Sequence, residues 1–131
     1  MRTRCLRLCG VLFVLFVEQP SIAAQQSLAA MEQLATDKGC YLCHTTEPVK
    51  SGQESTLPFA PSWVDIAKRY QRQRDAEDRL TGIVLQGSGP GPKDRHWQGK
   101  VSEVGMLPNI PEVDESEARQ LVRWILSFER N

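Results

Sequence analysis

A run of five residues, Cys40-Tyr41-Leu42-Cys43-His44, leaves few folds open to this chain. Side chains three residues apart in a helical turn project to the same side. Two thiols so placed can each form a thioether with one of the two vinyl groups of a haem, and an imidazole directly after the second can bind the iron. Two covalent tethers and a metal bond would then come from one short segment, and the rest of the chain has to wrap a flat apolar cofactor.

Other chemistries use part of the same pattern. A Cys-x-x-Cys pair is half of many zinc sites, but zinc takes about four protein ligands. Beyond Cys40, Cys43 and His44 only His96 has the usual chemistry. The same pair serves thioredoxin-like folds, where it opens a helix after a β-strand and further strands follow. Here the preceding segment reads as helix and no run of strands comes after it. Haem attachment is the leading reading, with thiol redox chemistry its main rival.

The 131 residues make room for one domain. Arg2, Arg4 and Arg7 precede an apolar stretch from Leu8 to Val17, and Pro20-Ser21-Ile22-Ala23-Ala24 follows with the small residues of a cleavage site. That is the layout of a secretory signal over residues 1–24, leaving a domain at 25–131, and the apolar run is too short to cross about 30 Å of hydrocarbon. Cys5 and Cys9 would leave with the signal, so the motif holds the only remaining thiols and no structural disulfide is available. A domain of this size gains from a staple, and haem can be one. With 16 basic and 16 acidic residues the chain lacks the basic footprint that a nucleic acid requires.

Apolar residues at spacings of three and four predict helices. The first covers Ser27–Lys38, with Ser27 as N-cap, Leu28, Met31, Leu34 and Ala35 on one face, and Gly39 ending it before the motif. The segment Thr45–Ala60, with Pro48, Gly52 and Pro58, reads as a long loop. Pro61 suits the first turn of a helix whose stripe is Trp63, Ile66, Ala67 and Tyr70. Another is predicted from Asp75, its cap, to Gln86, with Leu80, Ile83 and Val84 inward. Lys68, Arg69, Arg72 and Arg74 form a basic cluster that Asp75, Glu77 and Asp78 are placed to neutralise. From Gly87-Ser88-Gly89-Pro90-Gly91-Pro92 a loop runs through His96, Trp97 and Met106 to Pro111. A thioether on this proline-braced loop can face the iron opposite His44, which makes Met106 the candidate for a sixth ligand and His96 its competitor. The last helix, Asp114–Arg130, opens on a capping box of Asp114 and Glu117 and carries Ala118, Leu121, Val122, Ile125 and Phe128 on one face, with Trp124 at its edge.

Taken together, Cys40–His44 near the mature start, the Met-x-Pro-Asn at Met106–Asn109 and a closing helix with Leu121, Trp124 and Ile125 resemble the short bacterial class I c-type cytochromes. The resemblance implies an all-α class I cytochrome c fold: four to five helices around one covalently bound haem c, the first and last crossing. It implies that Cys40 and Cys43 hold the haem and that His44 and Met106 bind its iron. By the same resemblance, the carbonyl of Pro61 would brace the proximal imidazole and Trp97 would contact a propionate. The stretches from His44 to Pro61 and from Trp97 to Met106 are longer than in the short members of that family.

The function implied is single-electron transfer in the periplasm, without turnover of an organic substrate. Redox proteins would be the partners: a donor dehydrogenase or membrane complex, and an acceptor oxidase or reductase. Neither nucleic acid nor stable membrane insertion is expected, and the protein would be a monomer or a small subunit of a complex. Two other readings stay open. One is a dedicated cytochrome subunit of a periplasmic molybdenum or flavin dehydrogenase; the other is a ligand-binding or sensory haem protein with an open sixth position.

Overall fold

The computed structural model describes residues 22–48, 57–89 and 95–128, and among these every regular element is helical. In chain order they are α1 (Ile22–Asp37), a 3-10 turn at Cys40–Leu42, α2 (Trp63–Tyr70), α3 (Ala76–Gln86), a second 3-10 turn at Arg95–Trp97, and α4 (Glu115–Ser127). Residues 1–21, most of the expected export segment, lie outside the described residues, as do 49–56 of the long loop, 90–94 and Arg130.

The last helix is the one the others pack on: α1, α2 and α3 all contact α4. Its start is fixed locally. Glu117 N–H donates to Asp114 Oδ1 at 2.8 Å and Asp114 N–H donates to Glu117 Oε2 at 3.1 Å, which closes the capping box expected there. Successive residues then face two clusters. Leu121 and Trp124 join Ala35 of α1 and Trp63 of α2, while Val122 joins Tyr70, Ala76, Leu80, Trp97 and Val101. Ile66 of α2 packs against both, so α4 and α2 together form the seam between the two halves of the core. Trp124 belongs to this core and not to its edge, and Met31 packs against it as an ordinary apolar side chain.

Two helix starts differ from the pattern-based expectation, and a third has the expected residue at its N-cap position without the capping bond. The first helix begins at Ile22, so Ser27 lies inside it and does not cap it; the intervening Ala-Ala-Gln-Gln contains good helix formers and nothing that would end a helix. The second begins at Trp63, because Ser62 takes the N-cap. Its hydroxyl accepts from Asp65 N–H at 3.1 Å and donates to Asp65 Oδ2 at 2.8 Å, which leaves Pro61 outside the helix. The third begins at Ala76, and the Asp75 side chain makes no capping bond.

The acidic residues after the basic cluster are also used elsewhere. Glu77 pairs with Arg123 at 2.8 Å and Asp78 with Arg119 at 2.8 Å, tying α3 to α4. Sequence proximity suggested local neutralisation; the helix packing gives these carboxylates partners more than forty positions away.

Candidate haem site

The first helix ends in a tight bend. Gly39 takes φ 71°, where a side chain would be strained, and the following bonds, Leu42 N to Gly39 O and both Cys43 N and His44 N to Cys40 O, close one turn around the pentapeptide. That turn puts Cys40, Cys43 and His44 on the wall of a single cavity. Lys38 anchors the bend: its ammonium bonds Glu117 Oε2 at 2.8 Å and the Glu112 carbonyl at 2.5 Å, locking the end of α1 to the start of α4.

The cavity holds about 440 Å³ and its wall is mainly apolar, with Leu80, Ile83 and Val84 of α3, Leu121 and Val122 of α4, and Ile66 of α2. That volume is in the range of cofactor sites. Its rim carries Leu42, Phe59, Val104 and Leu107, which are between 62 and 84 % exposed. Wall and volume suit a flat apolar macrocycle with one edge near solvent.

His44 is prepared for a metal bond. Its Nδ1 lies 2.8 Å from the Pro61 carbonyl oxygen. A carbonyl only accepts, so Nδ1 carries the proton and Nε2 keeps the lone pair that can bind iron. Burial pushes the imidazole below its ordinary pKa, with the Pro61 carbonyl pulling weakly the other way, so the ring is held neutral. It stacks on Trp63 at a centroid distance of 6.4 Å and an interplanar angle of 22°. Trp63, 1 % exposed, meets Trp124 and Tyr41 edge-on at 4.8 and 4.5 Å. The Ser62 cap therefore has a second consequence: by starting α2 at Trp63, two residues after Pro61, it leaves the Pro61 carbonyl free for His44.

Met106 lines the same cavity. Its segment is held by the end of α3: Ser88 N–H donates to the Met106 carbonyl at 2.9 Å, Met106 N–H donates to Ser88 Oγ at 2.8 Å, and the Asn109 side-chain amide donates to the Val84 carbonyl at 2.7 Å. Asn109 N–H also reaches the Leu85 carbonyl at 3.1 Å. Asn109 thus satisfies carbonyls that the last turn of a helix leaves without partners. Two glycines permit the approach. A Cβ on Gly87 would stand 2.5 Å from the Met106 carbonyl oxygen, and one on Gly105 would collide with Gly89. Sequence reasoning missed Ser88 and Asn109 in this role; the glycines flanking Ser88 were the available signal, since glycine marks close backbone approach.

Of the residues singled out from sequence, Cys40, Cys43, His44, Pro61, Trp97 and Met106 all lie on the cavity wall. His96 does not. It is exposed, with Nε2 3.3 Å from Lys100 Nζ and its ring edge-on to Trp97 at 4.6 Å. The Trp97 indole N–H is directed at the Tyr70 hydroxyl, 3.4 Å away. The zinc alternative lacks ligands: among the described residues no group of three or more His, Cys, Asp or Glu side chains is arranged so that it could hold a metal ion. Thiol exchange wants a lowered thiol pKa, whereas burial pushes that of Cys40 up. The helix-flanked motif is also unlike the strand-to-helix setting that chemistry uses.

No protein-family model matches the chain. Individual relatives do. Cytochrome c-552 of Hydrogenobacter thermophilus is 38 % identical over 76 % of this chain and 82 % of that protein, and cytochrome c2 of Rhodocyclus tenuis is 34 % identical over 74 % of this chain and 90 % of that protein. Among solved structures, Nitrosomonas europaea cytochrome c552 superposes with a TM-score of 0.53 at 29 % identity, covering 73 % of this chain and 96 % of that one. The class 1 cytochrome MtoD from Sideroxydans lithotrophicus gives 0.54 at 27 % identity, covering 76 and 94 %. With the all-helical fold and the cavity at the Cys-x-x-Cys-His turn, these likenesses identify the chain as a member of the class I c-type cytochromes, electron carriers with covalent haem c, attached here at Cys40 and Cys43.

Proposed function

We propose that the protein is an exported monohaem electron carrier whose iron is held between His44 and Met106. The observation that carries this reading is the shared cavity: the two cysteines, a neutral imidazole braced through Nδ1, and a thioether on a tied loop all line it. Haem iron supplies the chemistry, a change of one charge between ferric and ferrous states. The chain's own residues set its conditions. The apolar wall excludes water and disfavours added charge, a methionine sulfur raises the potential relative to a second imidazole, and the Pro61 carbonyl keeps the imidazole in one tautomer and orientation. The exposed rim at Leu42, Phe59, Val104 and Leu107 leaves a route for contact with redox proteins, for which small, brief interfaces suffice.

Export rests on the basic, apolar and small-residue succession of residues 1–24, and the periplasm is the compartment it implies. Among the described residues no helix is long and apolar enough to cross a membrane. A second reading, a dedicated subunit of a periplasmic dehydrogenase, draws on the same apolar rim, which a lasting interface would cover. Native size-exclusion chromatography separates the two: a free carrier elutes as a small monomer, a subunit with its enzyme. The carrier reading itself is tested by redox titration with carbon monoxide challenge. It expects a reversible one-electron wave and slow carbon monoxide binding by the reduced protein at neutral pH; rapid binding would mean an open sixth position and a ligand-binding role.

A further inference from the structure

We propose that Ser88 is a positioning residue for Met106, its hydroxyl and amide together clamping the methionine main chain so that the thioether stays aimed into the cavity. The inference rests on the reading of Met106 as an iron ligand.

Both main-chain polar groups of Met106 are bonded by this one residue: its carbonyl by Ser88 N–H at 2.9 Å and its N–H by Ser88 Oγ at 2.8 Å. The hydroxyl proton goes to the Gly89 carbonyl at 3.3 Å, which leaves the oxygen lone pairs for Met106. With Cβ atoms excluded at Gly87 and Gly105, the two segments cross at backbone contact distance and the serine side chain is the polar link at the crossing. Asn109 ties the same loop to α3, but three residues further on and through its own amide. Ser88 is therefore the residue that fixes the backbone from which the Met106 side chain extends.

The consequence concerns a weak bond. A thioether competes poorly with nitrogen donors in solution, so its hold on iron depends on being kept in place, and preorganisation of the supporting backbone sets how readily another ligand takes over. Removing the hydroxyl leaves the Met106 N–H without its acceptor and the crossing held on one side only.

Imidazole is the probe, added to the full-length, haem-loaded ferric protein, and the readout is the far-red absorption band of sulfur-bound ferric iron. Ser88→Ala is expected to lower the half-displacing imidazole concentration by about five- to tenfold, the equilibrium effect of one lost hydrogen bond. Ser88→Thr and Ser88→Val have the same shape and differ in the hydroxyl, so Thr should stay near the original value while Val follows Ala. This pair also decides the matter if Ser88→Ala does not mature. A band that is present and equally resistant to imidazole in all variants overturns the Ser88 assignment alone, as does a Thr variant as labile as Val. A wild-type protein with haem but no far-red band overturns the Met106 reading and this one with it.

Discussion

On the His44 side of the cavity, the two attachment thiols and the imidazole fall within five consecutive residues, closed into a turn by bonds to Gly39 and Cys40. On the Met106 side the hydrogen bonds that hold the segment to the end of α3 join residues 18 to 25 positions apart. The first arrangement is built by local sequence and needs the fold only for its backing, the Pro61 carbonyl and the aromatic stack of Trp63. The second exists only once the end of α3 and the loop have met. Regions held by few long-range polar contacts are where native proteins open first, so the methionine side should open while the histidine side keeps its cofactor.

That contrast can be broken at its strongest point. Replacing both Cys40 and Cys43 by Ala should abolish haem retained through denaturing electrophoresis, because no other residue forms thioethers; retained haem would show that the turn is not the attachment point. Next in size is the backing of His44. Trp63→Ala empties a site that is 1 % exposed between His44 and Trp124 and should cost about 3–5 kcal/mol of unfolding free energy by denaturant titration.

The corresponding change on the other side is Gly87→Ala, which forces a side chain onto φ 72° and against the Met106 carbonyl. It should destabilise by about 1–3 kcal/mol, with the far-red band lost at lower temperature than the helical circular dichroism. Simultaneous loss of band and helix would show that the two sides open together and remove the contrast.

The smallest effect expected is in acid. Glu117 bonds Lys38, next to the motif, and that hydrogen bond holds its carboxyl below the ordinary 4.5. A carboxyl depressed in the folded state contributes stability that is complete above its unfolded value and is lost as pH falls through the lower folded one. Stability should therefore decline on acidification below about 4.5. Glu117→Gln, which keeps the capping box and removes the charge, should flatten that decline modestly. An unchanged acid profile would show that the tie between α1 and α4 does not depend on the charge.

What could be read from sequence follows the same division. The pentapeptide and the Asp114–Glu117 box are short-range patterns whose meaning is complete within a turn, and both are found as expected. The apolar stripes of α2, α3 and α4 identified core residues because helical periodicity is local. Missed were facts that depend on which segments meet. Glu77 and Asp78 sit beside a basic cluster in sequence and pair with Arg119 and Arg123 in space. Ser62 was overlooked as a cap because Pro61 is itself a good first-turn residue, and Ser88 lay in a stretch read only as irregular.

The central claim, that the cavity holds haem iron between His44 and Met106, is tested most directly by the ferric and ferrous optical spectra of the matured protein beside Met106→Ala and His96→Ala. Sharp reduced c-type bands and a ferric far-red band are predicted for the protein and for His96→Ala. Met106→Ala should keep its haem and lose the far-red band, and its potential should fall by more than about 0.1 V of the roughly 0.8 V that axial ligands span. A far-red band that survives Met106→Ala, or c-type haem without any such band in the unsubstituted protein, would contradict the account.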